Sequence, residues 1–435
     1  MLAVAGNHEL AEAMARLDRL TDWERRPRRA MRVGLAPMQD LAARLSDPHK
    51  AFRSIHVAGT KGKGSVSALI EAALARAGVA VGRYGSPHVE RVTERVSLHG
   101  ADVDEATLAR ALTQALDAYE DARRTRTAAA EATWFDLLTC AAFLIFRAAR
   151  VEWAVVEVGL GGRLDSTNIV QGEVAVVTNI GLEHTEILGK TRAAIAREKV
   201  GILKAGAVLV TTLGPEDEAG QVLHSRAEGL GCPVVRAPAR PGAAIEETNA
   251  AVAGVVLDQL GRRRGVRGGS GEPVGAALLD AATRAAARLA GRMERHDIDV
   301  SSSRLPVLFD GAHVPFNLAA VLADLARVPD LAGYCVAVVA LAADKDAAGF
   351  LVELRKRASA AVFTILPSTS RGRPPDELDA IAVSLGLASE VEPDPHKAFR
   401  RGLELAKKAN AWLLVTGSLY LVGALRGEAL GEKRT

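Results

Sequence analysis

The sequence predicts an α/β protein: an N-terminal parallel-sheet domain built around a glycine-rich phosphate-binding loop, then a smaller Rossmann-like α/β domain. Three observations carry this expectation. The chain has 435 residues, whereas single hydrophobic cores usually stop growing at about 250–300 residues. Continuous valine-rich runs alternate with helical stretches, as expected of strands covered on both faces of a parallel sheet. That alternation pauses at a polar, turn-prone stretch, GRMERHDIDVSSSR (291–304), and then restarts.

Taken in order, the first stretch, to about residue 54, reads as helical, with LAARL (41–45) before a loop at Ser46-Asp47-Pro48. SIHVAG (54–59) is a short buried strand, and VSALIEAALARAG (66–78) a helix closed by glycine. VGRYGS (81–86) is a second strand candidate. TWFDLLTCAAFLIFRAAR (133–150) has the length and period of a largely buried helix. It leads into WAVVEVG (153–159), VAVVTNIG (174–181) and AVLVTT (207–212), all too uniformly apolar for half-exposed strands.

GRRRGVRGGSGEP (261–273) is expected to be an exposed loop, followed by an Ala-rich helix over 276–290. The domains are therefore placed at 1–290 and 305–435, with 291–304 as the linker. The second domain reads as LPVLFDG, a helix at 316–327, YCVAVVALA, a helix at 346–357, AAVFTILP, helices at 375–385 and 396–409, and AWLLVTG.

Composition narrows the function. The chain is 49% hydrophobic and 25% charged, values that exclude a disordered or fibrous protein. A net charge of +3 gives no electrostatic case for a nucleic-acid or membrane-surface partner. Cys140, Cys232 and Cys335 form no Cys-x-x-Cys pair, so neither a disulfide framework nor a zinc ribbon is expected. The N-terminal apolar stretch is short and broken by acidic residues, unlike a signal peptide. No uncharged apolar run approaches the roughly 18 residues of a membrane span. These features together predict a soluble cytoplasmic protein.

The strongest chemical signal is GTKGKGS (59–65), lying between a strand and the helix that opens at Val66. Backbone N–H groups of such a loop, backed by a helix N-terminus, cradle polyphosphate oxygens. Lys63 supplies a point charge to the β- and γ-phosphates and Ser65 a hydroxyl to Mg2+. The extra Gly64 between them departs from the usual spacing. Glu157 ends the AVVEV strand, where open α/β sheets bind ligands; carboxylate and hydroxyl together begin a magnesium shell. His184 occupies the equivalent position after VAVVTNIGLE, although imidazole is not a preferred magnesium ligand. Lys199, beside Glu198, is one of 12 lysines against 43 arginines; a solvated helix face accounts for it equally well. Asp310, in DGAHVP (310–315), is either a helix cap or a group facing the nucleotide.

Together these motifs resemble the folylpolyglutamate synthase and dihydrofolate synthase family of the Mur ligase superfamily. The strings VAGTKGKGS, YGSPH, TWFDLLT, VVEVGLGGRLDSTN, TNIGLEHTEILG, IAREKVGILKAG, GRMER, DGAH and VTGSLYLV occur in the family's order. VEVGLGGRLDSTN and GLEHTEILG are far more specific than the phosphate loop. The resemblance implies a Mur ligase type of fold and an ATP-dependent ligase. In that family the substrate carboxylate is phosphorylated, and the amino group of L-glutamate then displaces phosphate to form an amide.

By the same resemblance, Gly62, Lys63, Gly64 and Ser65, with Asn249, Arg292 and Asp310, bind ATP. Ser65, Ser86, Glu157 and His184 hold Mg2+, and Lys199, when carbamylated, offers oxygen ligands to a second Mg2+. Lys63, Glu157, His184 and Lys199 are the expected catalytic set. Thr133, Trp134, Phe135 and Asp136, with Leu164, Asp165 and Ser166, fall where the pterin binds. Three departures stand out: Lys61 replaces an asparagine, Asp136 a glutamate, and Val314 the asparagine of DGAHNP. The expected partners are ATP, L-glutamate and dihydropteroate or folates, with no nucleic acid or membrane, and a monomer is expected. Two alternatives are a Mur-type ligase for a cell-wall or polyglutamate precursor and a P-loop phosphotransferase.

Overall fold

The computed structural model describes residues 2–23, 34–240, 242–300, 303–367, 369 and 371–431. It divides into two compact units, Met1–Arg288 and Leu289–Thr435.

The strands of the first unit are β1 (Arg53–Ala58), β2 (Val81–Tyr84), β3 (Val96–Leu98), β4 (Ala101–Asp102), β5 (Trp153–Glu157), β6 (Gly172–Val177), β7 (Val208–Thr211) and β8 (Val234–Arg236). Its helices are α1 (Leu2–Leu17), α2 (Ala36–Arg44), α3 (Lys63–Arg76), α4 (Glu105–Thr125), α5 (Trp134–Ala148), α6 (Thr185–Leu188), α7 (Arg192–Val200), α8 (Glu218–Gly229), α9 (Ile245–Arg264) and α10 (Ala281–Ala286). The sheet order is β4-β3-β2-β5-β1-β6-β7-β8. All pairings are parallel except those of the β3 and β4 ribbon at one edge.

The central strand β1 pairs with β5 at Val57↔Glu157 and with β6 at Ala58↔Val177. Those registers bring the carboxyl ends of β5, β1 and β6 level. The sheet is buried on both faces, as the unbroken apolar runs predict. One core joins α1, α2, α4 and α5 to Ala154 and Val156 of β5. Another joins α7 and α8 to Ala58, Val177 and Leu209.

The strands of the second unit are β9 (Glu294–Val300), β10 (Ser303–Phe309), β11 (Cys335–Val339), β12 (Ala358–Phe363), β13 (Ala388–Val391) and β14 (Trp412–Thr416). Helices α11 (Pro315–Leu325), α12 (Ala347–Leu354), α13 (Pro375–Ser384), α14 (Pro395–Lys408) and α15 (Leu419–Ala429) connect or follow them. The order is β13-β12-β11-β14-β10-β9, parallel except for β9 against β10.

Three expectations need correction. Residues 294–300, read as linker, form the edge strand β9, whose alternating partly buried and exposed residues suit a sheet edge covered on one side. Ser301 and Ser302 of that stretch lie outside the described residues. The helix expected over 276–290 is cut short, because Asp280 accepts from the Thr283 amide and starts the six-residue α10. The loop expected from 261 is helical to Arg264 and ends at Gly265, whose φ of 68° provides a left-handed cap. Residues 24–33 of the first stretch also lie outside the described residues; α1 and α2 flank them. Among the described residues no helix is long and apolar enough to cross a membrane, and all three cysteines are buried and unpaired.

Candidate active site

The glycine-rich loop joins β1 to α3, and the two glycines that shape it are forced. Gly59 has φ +149°, and a Cβ there would lie 1.9 Å from Thr178 Oγ1. Gly62 has φ +77°, and its Cβ would lie 2.4 Å from Asn249 Oδ1. Only glycine combines that backbone with that closeness. The segment after β6 holds the loop: the Thr60 amide donates to the Asn179 carbonyl at 2.9 Å, and the Lys61 amide to Asn179 Oδ1 at 2.9 Å. Sequence reasoning gave Thr178 and Asn179 no role, although both lie inside the quoted TNIG string. The half-buried Lys63, Gly64 and Ser65 form the first turn of α3, where backbone N–H groups have no partner within the helix.

Two lysines converge on one carbonyl. Lys199 Nζ donates to Gly59 O at 2.8 Å and Lys63 Nζ to the same oxygen at 3.2 Å. Lys199 is only 5% exposed. Burial, and then the charge of Lys63, lower its pKa to about 7, so an uncharged amine is well populated at neutral pH. The GLGG turn after β5 fits against this lysine's helix. A Cβ on Gly162 would lie 2.8 Å from Glu198 O and 2.9 Å from Lys199 O, and the Arg163 amide donates to Glu198 O at 2.8 Å.

Glu157 closes β5 and is 5% exposed. Its Oε2 accepts from the Ser86 amide at 3.3 Å, joining the end of β2 to that of β5. His184 stands beyond β6 with φ +53°, a left-handed backbone uncommon for a residue other than glycine. Its Nε2 lies 3.5 Å from Glu183 Oε1. Ser86, Glu157, the 59–65 loop and His184 therefore follow four neighbouring parallel strands at their carboxyl ends, where this sheet class binds ligands. One carboxylate, two hydroxyls and an imidazole offer mainly hard donors, which fit Mg2+. Among the described residues no three His, Cys, Asp or Glu side chains cluster as a self-sufficient metal cage.

The residues expected at the pterin form a second group. Thr133 caps α5, and Asp136 Oδ2 accepts from its amide at 2.8 Å and its hydroxyl at 2.7 Å. Asp136 Oδ1 accepts from Ser166 Oγ at 2.6 Å. Asp165 accepts from the Leu160 amide at 2.8 Å, the Thr167 amide at 3.0 Å and the Thr167 hydroxyl. Burial raises the pKa of both carboxyls despite these bonds. Phe135 lies against Gly159, where a Cβ would meet its ring at 2.6 Å, and 6.0 Å from the Tyr84 ring. Leu164 is half-buried in the same loop. Trp134 points elsewhere: it is 1% exposed, donates to Asp18 at 3.1 Å and lies beneath the Arg95 guanidinium at 4.8 Å. Its environment is the core.

In the second unit, Asp310 follows β10 with both oxygens engaged by backbone. Oδ2 accepts from Met293 N at 2.9 Å and Oδ1 from Ala312 N at 2.8 Å. Arg292 precedes Met293 and is half-buried. Val314 is extended, with φ −135° and ψ 153°, a backbone that suits a β-branched residue.

Residues 57–255 match the Mur ligase middle domain and 291–419 the Mur ligase, glutamate ligase domain. A dihydrofolate synthase/folylpolyglutamate synthase from Bacillus subtilis is 39% identical over 204 residues, 47% of each chain. The alignment thus spans about half of that relative. One of the same description from Escherichia coli is 32% identical over 352 residues, 74% of this chain and 75% of that one. Among solved structures, a bifunctional folylpolyglutamate synthase/dihydrofolate synthase from Yersinia pestis, complexed with AMPPNP and Mn ion, has a TM-score of 0.78 at 28% identity, covering 97% of this chain and 98% of that one. A bifunctional enzyme of that description with Mn, AMPPNP and L-glutamate bound has a TM-score of 0.77 at 29% identity, with the same coverage.

Proposed function

The chain belongs to the folylpolyglutamate synthase/dihydrofolate synthase family of ATP-dependent ligases, and we propose that it joins L-glutamate to dihydropteroate, to folates, or to both through an acyl phosphate. ATP and a divalent cation are its co-substrate and cofactor. The observation that carries the proposal is the convergence of the phosphate loop, Ser86, Glu157 and His184 on neighbouring strand ends, with the buried Lys199 amine 2.8 Å from Gly59 O.

A carboxylate is a poor electrophile at neutral pH. Transfer of the γ-phosphoryl group to one of its oxygens, with ADP leaving, makes the acyl carbon reactive. The amino nitrogen of glutamate then attacks that carbon, phosphate departs with the C–O electron pair, and the nitrogen gives up a proton as the amide forms. Lys63 and the first-turn N–H groups of α3 grip the β- and γ-phosphates. Ser65, Ser86, Glu157 and His184 are the residues that would hold Mg2+, which supplies charge neutralisation around the transferred phosphoryl group. Neutral Lys199 Nζ adds CO2 and loses a proton, becoming a carbamate whose oxygens would serve a second Mg2+. Its lowered pKa supports this reading, since only the uncharged amine reacts. Gly62, Gly64 and Asn249 are further nucleotide contacts proposed in the first unit, and Arg292 and Asp310 are those proposed in the second. Thr133, Phe135, Asp136, Leu164, Asp165 and Ser166 shape the acceptor site. Trp134 supports that site from the core.

Acceptor labelled with 18O in its carboxylate tests the route. The acyl phosphate path sends one labelled oxygen into inorganic phosphate for each amide formed. Unlabelled phosphate alongside labelled amide product would overturn it.

A further inference from the structure

The turn that presents Arg292 is gripped on both sides by carboxylates. Gly291 and Met293 flank it with φ +63° and +50°, a costly backbone for methionine unless its surroundings hold it there. Met293 N is held by Asp310 at 2.9 Å. Gly291 N donates to Glu294 Oε2 at 2.8 Å, and Gly291 O accepts from Gly311 N at 3.1 Å. Glu294 is itself fixed. Arg426 Nε, from α15, lies 2.9 Å from each of its oxygens, and His296 Nε2 lies 2.8 Å from Oε1. Its side chain is 16% exposed. A Cβ on Gly311 would lie 2.4 Å from Leu419 Cδ2 and 3.1 Å from Arg292 Nη1, so this glycine packs against both side chains.

A guanidinium pairs with an oxyanion only when its plane is correctly aimed. We propose that Glu294 is a positioning residue for the nucleotide: it holds the Gly291 amide, and through that turn the direction of Arg292, while Arg426 and His296 hold Glu294. The proposal rests on the reading of Arg292 as a nucleotide contact. Positioning of this kind lowers the ordering cost of binding and adds no ligand contact of its own.

The test is a double-mutant cycle in the full chain, with KM for ATP and for glutamate, kcat and thermal midpoint measured for Arg292→Ala, Glu294→Ala, the double variant and Glu294→Gln. Glu294→Ala is expected to raise KM for ATP about tenfold, leave KM for glutamate unchanged, and add no further loss to Arg292→Ala. Glu294→Gln keeps an oxygen for the Gly291 amide and should retain most of the ATP affinity. Multiplying losses in the double variant, or a lowered thermal midpoint with KM for ATP unchanged, would overturn the proposal. If Arg292→Ala alone leaves KM for ATP at the wild-type value, it is the nucleotide reading of Arg292 that fails. Should Glu294→Ala not fold, the same cycle run with Arg426→Met in its place, which frees both Glu294 oxygens, decides between the same outcomes.

Discussion

Lys199 and Lys63 share the Gly59 carbonyl but have different fates. Lys63, proposed to act on phosphate, is only half-buried, so Lys63→Ala is expected to abolish ADP release and leave the thermal midpoint near wild type; wild-type turnover would contradict the phosphate-loop reading. Lys199→Ala should lose activity and recover part of it with short carboxylic acids that fill the carbamate's place. Lys199→Arg keeps the charge but cannot be carbamylated, and should be as inactive as the alanine variant. An active arginine variant would make Lys199 an ordinary cation. His56 offers a separate check. Burial lowers its pKa from 6.5 to about 3, and its Nε2 bonds the Thr167 hydroxyl at 2.9 Å. Between those pH values the unfolded chain binds the extra proton, so acid weakens the fold by up to about 1.4 kcal/mol per pH unit. Denaturation of His56→Asn at several pH values should show a flatter fall across pH 6.5 to 3. An unchanged slope would mean that His56 titrates normally in the fold.

At the scale of elements, the glycines of the two turns around the site are the points where sequence and structure meet most tightly. Gly162→Ala would drive a methyl against the Glu198 and Lys199 carbonyls, which are backbone and cannot swing aside. It is expected to cost about 1–3 kcal/mol of stability and to lower activity by displacing Lys199; an equally stable and active variant would mean that α7 gives way freely. The buried strands and the phosphate loop were legible because apolar runs and glycine spacing report local physics. Much of the remainder was not. Helix α9 lacks a capping side chain at Ala244, so only Glu246 and Glu247 in its first turn mark its start, and Asn249 on it was reached only through the resemblance. Strand β9 is polar, and its pairing with β10 is invisible without the partner. The separation of Trp134 from Phe135 was equally hidden, because a helix turns adjacent side chains to different faces.

For the whole molecule, the two family domains fall on the two compact units, one on each, and nucleotide roles are proposed in both. Titration calorimetry of Arg292→Ala and Asp310→Ala should therefore show weakened ATP binding, although both residues lie outside the unit with the phosphate loop. Unchanged binding in both would remove the nucleotide roles proposed for Arg292 and Asp310. The most direct measurement follows ADP release and product mass together, with glutamate and either dihydropteroate or tetrahydrofolate. Multiple-turnover ADP release is expected to require both acceptor and glutamate, with one glutamyl residue added to the acceptor per ADP. Equally fast multiple-turnover ADP release without glutamate, or a phosphorylated final product with no glutamyl gain, would contradict a glutamate ligase.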